Sequence, residues 1–237
     1  MLTLNNITVQ FGGLIALKGV TFTIRDEEVL GLVGPNGAGK TTLFNVISGL
    51  TRPTGGEAIF NKINILNSPM HKRARVGIGR TFQIPQPLQE LTVRQNLQVA
   101  QRFGTGKVNQ DKIEEILNFL HLEDKADRDA VSSLSLSELK ALEVGKALAT
   151  EPQLLLLDEV LAGLETASKR AFMKTLSELN SKYRISILII EHDIETISNM
   201  CPRVCVLNYG QIIADGTPKE VFSDPEVIKS YTGGAHD

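Results

Sequence analysis

The sequence predicts an α/β fold: a mixed sheet with flanking helices, an antiparallel β portion at the N-terminus, and an inserted helical subdomain. Three observations predict it. The first third alternates apolar and polar residues as strands do, residues 29–33 form a short, nearly continuous apolar run, and helical periodicity fills the middle of the chain before strands return. The helical subdomain is expected over residues 84–150 of a single domain spanning 1–237.

Taken in order, Leu2, Leu4, Ile7 and Val9 are apolar among polar neighbours, and residues 20–24 alternate as VTFTI. Residues 29–33 (VLGLV) read as a strand covered on both faces, running through glycines into the helical segment TTLFNVISGL, closed by Gly49. Residues 57–65 read as strand, and residues 91–148 as mostly helix, with Ile113, Ile116, Leu117 and Leu120 on one face. Residues 101–110, with two glycines and little apolar content, read as a surface connection. A strand at 154–157, a helix at 167–179 and a strand at 185–190 follow. Residues 204–207 and 212–214, hinged at Asn208-Tyr-Gly210, read as a terminal hairpin.

Composition narrows the function. Of 237 residues, 42% are hydrophobic, 22% charged and 5% aromatic, a globular balance that excludes wholesale disorder and fibrous structure. The net charge of −2 excludes a strongly basic nucleic-acid binder, and the basic run His71-Lys-Arg-Ala-Arg75 reads as a solvated face. No nucleic-acid partner is expected. Cys201 and Cys205 suit neither a disulfide framework nor a CxxC pair, which points to a reducing, cytosolic setting. The start lacks a signal-peptide pattern, and the apolar stretches at 154–157 and 185–190 fall far short of the roughly 20 residues of a membrane helix. His71, His121 and His236 read as surface residues.

Gly34-Pro35-Asn36-Gly37-Ala38-Gly39-Lys40-Thr41 matches G-x-x-x-x-G-K-[ST] in full, between a buried strand and a helix. Glycines let successive backbone N–H groups face one concavity, and the following helix places its positive end there. Lys40 is placed to reach terminal phosphates and the Thr41 hydroxyl to ligate magnesium. Asp158 and Glu159 end an apolar strand: Asp158 is suited to hold magnesium, directly or through water, and Glu159 to deprotonate an attacking water. His192 follows another buried strand, and its imidazole could hydrogen-bond a γ-phosphate or that water.

These residues resemble the ATP-binding subunits of ABC transporters from end to end. The resemblance implies a P-loop NTPase core, ATP and Mg2+ as ligands, and ATP hydrolysis coupled to transport. The phosphate loop, Asp158-Glu159 and His192 match the Walker A, Walker B and switch-histidine motifs. Thr42 continues the nucleotide-binding set. Thr81-Phe82-Gln83 resembles the Q-loop, where Gln83 would contact magnesium or the catalytic water. Phe11 stands where an aromatic residue stacks on adenine, against the alternative of a core or strand-end phenylalanine. Leu134-Ser135-Leu136-Ser137-Glu138 holds the signature position, acting on the ATP of a second subunit, and Ala162-Gly163-Leu164-Glu165 would be the D-loop.

Within the family, Gly77-Ile-Gly79-Arg80-Thr-Phe-Gln83, Leu91-Thr-Val-Arg-Gln-Asn96-Leu and the tail through Tyr231 are most similar to importers of branched-chain and other hydrophobic amino acids. A urea or amide importer is the near alternative. The partners implied are a second ATP-binding subunit, either a copy of this chain or, in preference, a different chain, together with membrane-spanning permease subunits and an extracytoplasmic substrate-binding protein. The place implied is the cytoplasmic face of the membrane, as a peripheral protein.

Three departures stand out. Ser137 replaces a signature glycine, where a side chain narrows backbone conformation and hinders close approach. Glu165 replaces the usual Asp or Asn, and Val160 the usual Pro. Ser135 to Glu138 is also an S-x-x-E capping box that would simply start a helix. A largely regulatory subunit with weak hydrolysis therefore stays open at this point. Other phosphate-loop classes fit poorly: Asn61-Lys-Ile-Asn64 lacks the final acid of a guanine-reading loop, and there is no room for the coiled coil of a DNA-repair ATPase.

Overall fold

The computed structural model describes residues 1–232; His236 and the end of the tail lie outside the described residues. The chain divides into two compact units, residues 1–70 with the chain from Ser186 onward, and residues 71–185.

In the first unit β1 (Leu2–Phe11) and β2 (Leu14–Ile24) form an antiparallel hairpin. Then come β3 (Val29–Val33), α1 (Lys40–Ser48), β4 (Gly55–Phe60) and β5 (Ile63–Asn64). The strand expected at 57–65 is a two-strand hairpin, because Asn61 and Lys62 adopt left-handed φ of 48° and 68° and turn the chain back. These strands make one antiparallel sheet in the order β2-β1-β4-β5.

The second unit opens one residue into α2 (Met70–Arg75) and continues with β6 (Ile78–Arg80). The basic run is not wholly solvated: the Arg73 side chain is 1% exposed, and burial lowers its pKa to about 10. His71 is exposed, as expected. Next are α3 (Val93–Thr105) and α4 (Gln110–Phe119), the short 3₁₀ turn Glu123–Lys125, α5 (Ala130–Ser133) and α6 (Leu136–Ala149). The connection expected at 101–110 is half helix. Gln101 is buried and accepts a hydrogen bond from Asn109 N, and the helix stops only at Gly106, whose φ of 84° forms the C-cap. Helix α4 buries Ile113, Ile116 and Leu117, the face its spacing indicates, and Leu120 beyond its end is also buried. The unit closes with β7 (Leu154–Asp158), buried throughout, and α7 (Thr166–Tyr183). Strands β6 and β7 are parallel, with Ile78 opposite Leu154 and Arg80 opposite Leu156.

In the first unit again, β8 (Ser186–Ile190), α8 (Ile194–Met200), β9 (Arg203–Asn208), β10 (Gln211–Gly216), α9 (Pro218–Phe222) and α10 (Pro225–Thr232) complete the described residues. Strand β3 lies between β8 and β9, parallel to both, and β10 folds back antiparallel on β9 as the expected terminal hairpin. Its continuous apolar sequence has the cause inferred from it: Leu30, Gly31, Leu32 and Val33 are all buried. No helix among the described residues is long and apolar enough to cross a membrane.

Candidate functional site

In the first unit, β3 delivers the chain into the phosphate loop, Gly34 to Gly39, and α1 begins at Lys40. Two glycines are required by the backbone. Gly34 has φ 147°, and a Cβ there would sit 2.0 Å from the Leu207 carbonyl oxygen; Gly39 has φ 107°, and a Cβ would meet the Ala16 carbonyl oxygen at 2.7 Å. No side chain caps α1, and its first turn holds no acidic residue, so its positive end is left for an anion. Lys40 is buried, and its Nζ donates to Gly34 O at 2.7 Å and Pro35 O at 3.1 Å. The ammonium is thus held by the loop's own carbonyls, and an arriving phosphate could exchange for them at little cost in ordering. Thr41 is exposed, Thr42 half-buried and Ala38 buried.

Phe11 ends β1 opposite Leu14, and it is 53% exposed, so it is a strand-end residue and not a core one. Leu14, paired opposite it, is exposed as well, so this end of the hairpin presents an apolar pair on one face. His192 lies just beyond β8, exposed, immediately before Asp193, which caps α8 by accepting from Glu195 N.

In the second unit both candidate carboxylates are held by the last residue of β6 and the segment that follows it. Arg80 Nη2 donates to Asp158 Oδ2 at 3.1 Å, with both side chains 7% exposed. Asp158 N donates to Thr81 Oγ1, and Thr81 N to Leu156 O. Gln83 Nε2 donates to Glu159 Oε2 at 2.5 Å, so the Q-loop glutamine and the candidate base are in direct contact. Glu159 itself is left-handed, φ 49°, a conformation that costs a non-glycine residue about 1 kcal/mol or more and tends to mark working positions. It turns the chain sharply after β7. Lys140, 4% exposed on α6, donates to the Glu159 carbonyl at 3.1 Å, and Ala162 N donates to the same oxygen.

The signature segment starts α6. Ser135 is its N-cap, accepting from Glu138 N while Glu138 accepts from Ser135 N, so the capping box is complete. Burial opposes ionisation of Glu138, yet the Lys125 ammonium and the Ser135 donors hold its carboxyl below the usual range. Ser137 Oγ lies 3.2 Å from Ser135 Oγ. Ser137 is helical with an ordinary negative φ, so no glycine-only conformation is needed there. The serine side chain therefore carries no conformational cost there and adds only bulk to the segment. Glu165 stands at the N-cap of α7 and makes no capping hydrogen bond, which its longer side chain explains.

Sequence reasoning quoted Arg80 and Thr81 only as parts of motifs and passed over the role of Lys140. The only signal was a charge where neighbours are apolar: Arg80 closes Gly77-Ile-Gly79, and Lys140 precedes Ala141-Leu142. Replacing Lys140 with Met should lower hydrolysis about tenfold, what one charge-assisted hydrogen bond of ~1.5 kcal/mol is worth. Nucleotide affinity should stay within about twofold, which steady-state rates and titration calorimetry on one preparation would check.

Among the described residues no cluster of three or more His, Cys, Asp or Glu forms an all-protein metal cage. The hydroxyl of Thr41, the carboxylate of Asp158 and the amide oxygen of Gln83 are hard donors. Each is of the type that magnesium prefers, an ion that binds oxygen, keeps several of its waters and arrives with phosphate.

Comparison with known proteins agrees with this arrangement. A family model for ABC transporters matches residues 17–162, and a second, for branched-chain amino acid ATP-binding cassette transporters, matches residues 211–237. The chain is 34% identical to the high-affinity branched-chain amino acid transport ATP-binding protein LivG of Salmonella typhimurium, covering 99% of this chain and 98% of that one. It is also 34% identical to BraF of Pseudomonas aeruginosa, a protein described in the same words, over 99% and 98%. Among solved structures, an ATP-binding cassette of an ABC transporter in its ADP conformation superposes with a TM-score of 0.88 at 35% identity, covering 98% of each chain. A dimeric cassette in a post-hydrolysis state, bound to ADP and Pi, gives 0.81 at 25% identity, over 92% of this chain and 99% of that one.

Proposed function

Since this chain belongs to the ABC transporter family, as an ATP-binding subunit that hydrolyses ATP, we propose that it powers an importer of branched-chain or other hydrophobic amino acids. The observation that carries the cargo is the match of residues 211–237 to the branched-chain amino acid cassette family, separate from the match over the catalytic motifs.

Each residue takes a part. Backbone N–H groups from Gly34 through Gly39, with Lys40, Thr41 and Thr42, hold the phosphates, and Phe11 stacks on adenine. Thr41, Asp158 and Gln83 would hold Mg2+, which would supply neutralisation of phosphate charge. Glu159 accepts a proton from the attacking water, Gln83 orients Glu159, and His192 hydrogen-bonds the γ-phosphate or the water. Ser135, Ser137 and Glu138 act on ATP held by a second subunit, whose signature serves this chain's own phosphate loop. That second subunit is a different chain, and permease subunits and a substrate-binding protein complete the importer.

The work is done at the cytoplasmic face of the membrane. The helical subdomain at 84–150 is the part that meets the permease. Its leading segment is already anchored on α6: Gln86 N donates to Glu143 Oε1, and Lys146 bridges Gln86 O and Glu143. Closure driven by ATP would therefore move this segment and α6 as one piece.

Purification from the native membrane tests the reading. Permease and binding-protein subunits should travel with this chain, and the binding protein should hold leucine, isoleucine or valine more tightly than urea or amides; the reverse preference would overturn the cargo. The asymmetry has its own expectation. With Ser137 at one of two sites, Ser137→Gly should raise the ATPase rate of the assembled transporter about twofold or more, by relieving the slower site. An unchanged rate would show that serine does not hinder it.

A further inference from the structure

The pairing of Arg80 with Asp158 is not needed to build β6 and β7, whose backbones already pair in register. It answers a different problem. Asp158 carries a carboxylate that is 7% exposed, and water cannot solvate it there. A buried carboxylate needs a cation, and the Arg80 guanidinium is that cation at 3.1 Å. Desolvation lowers the Arg80 pKa and Asp158 pulls it back up, as expected of a pair that is sheltered together.

Magnesium, as assigned above, is to be held by this same carboxylate. A divalent ion approaching Asp158 meets a fixed positive charge already at hydrogen-bonding distance, in a poorly screened place. Both cations draw on one negative charge, so whatever stabilises the metal-free pair opposes the metal.

We propose that Arg80 is a positioning residue that holds Asp158 until magnesium arrives and competes with the metal for its carboxylate. The proposal rests on the assignment of Asp158 as a metal-holding residue. Its consequence reaches the Q-loop. The Arg80 guanidinium lies 5.3 Å from the Phe82 ring, and Gln83 is tied to Glu159 one residue beyond Asp158. Weakening the Arg80–Asp158 bond therefore acts on the segment that also holds the candidate base. Phe82 and Ile84 in this segment are exposed, Ile84 by 69%. Metal occupancy is thereby coupled to an apolar surface next to Gln83.

The test is ADP binding by the purified full-length chain, titrated with Mg2+ for wild type, Arg80→Gln and Arg80→Lys. Glutamine keeps a donor for Asp158 but removes the charge; lysine keeps the charge. The Mg2+ concentration giving half-maximal tight binding should fall about fivefold to tenfold in Arg80→Gln, a coupling of ordinary size, and stay near wild type in Arg80→Lys. ADP affinity without metal should change less than about twofold. A purely structural role would lower thermal stability and leave the magnesium midpoint in place, and that result overturns the proposal.

A second measurement does not depend on the variant folding. In the wild-type protein, the guanidinium NMR signal of Arg80 should shift when Mg2+ and ADP are added together and not with ADP alone. A signal indifferent to the metal overturns the proposal. If wild-type ADP binding proves independent of Mg2+, the metal-site assignment falls and the proposal with it; if it depends on Mg2+ while Arg80→Gln keeps the wild-type midpoint, only the proposal falls.

Discussion

Glu159→Gln should reduce steady-state ATP hydrolysis by the assembled transporter on the order of 10²- to 10⁴-fold, the contribution of a well-placed general base. Three features favour a clean result. The amide is close in size to the carboxylate, and its oxygen can still accept the hydrogen bond that Gln83 Nε2 donates. The left-handed turn at Glu159 is held through its backbone carbonyl by Lys140 and Ala162, and the substitution leaves that carbonyl in place. The lost property is the ability to take a proton. ATP affinity should therefore be unchanged within about twofold, and the variant should accumulate in its ATP-bound state. Phosphate-release rates and nucleotide titration on the same complex measure both. Equal rates for variant and wild type would mean that Glu159 is not the base.

Lys40→Ala should act one step earlier, on binding. The Lys40 ammonium is buried among loop carbonyls and lies ahead of a helix end that carries no acid and no side-chain cap. Losing one charged donor to phosphate costs about 3 kcal/mol, so nucleotide affinity should fall roughly 100-fold. The fold should survive, because Gly34 and Pro35 carbonyls face the loop and water can replace the ammonium as their partner. Melting temperature without nucleotide should thus stay near wild type, and the rise on adding ATP should vanish. A variant still strongly stabilised by ATP would contradict the role of Lys40.

The two predictions rest on parts of the chain that differ in how readily sequence reveals them. The phosphate loop was legible because its constraints are local: Gly34 and Gly39 need backbone freedom, and Lys40 follows in the next turn. Buried β3 and β7 announced themselves by unbroken apolar runs. The capping box at Ser135 was legible for the same reason, since all its partners fall within four residues. What the sequence hid is non-local. Arg80 and Asp158 are 78 positions apart, and Lys140 and Glu159 are 19 apart, so register and helix packing, not motif spacing, bring them together. The Asn61–Lys62 turn was missed because left-handed φ at two non-glycine residues carries a weak signal. Helix α3 outran its expected end because Gly104 is tolerated inside it, and only Gly106 stops it. Arg73, placed on a solvated face by its basic neighbours, turned inward instead.

The departures from the family pattern also change weight. Ser137 sits in an ordinary helical turn, so what its side chain adds there is bulk, not backbone strain. Glu165 leaves α7 without a side-chain cap. The groups that hold Asp158 and Glu159, namely Arg80, Thr81, Gln83, Lys140 and Ala162, are all in place, and the reading of this chain as a hydrolysing subunit stands on them.

The most direct test is uptake of labelled leucine into vesicles that contain the complete transporter, with nucleotide on the side where this chain resides and loaded binding protein on the other. Uptake should require hydrolysable ATP, stop with a non-hydrolysable analogue, and be lost when this subunit carries Glu159→Gln. Leucine accumulation that continues with the analogue, or with the Glu159→Gln subunit at the wild-type rate, would contradict the account.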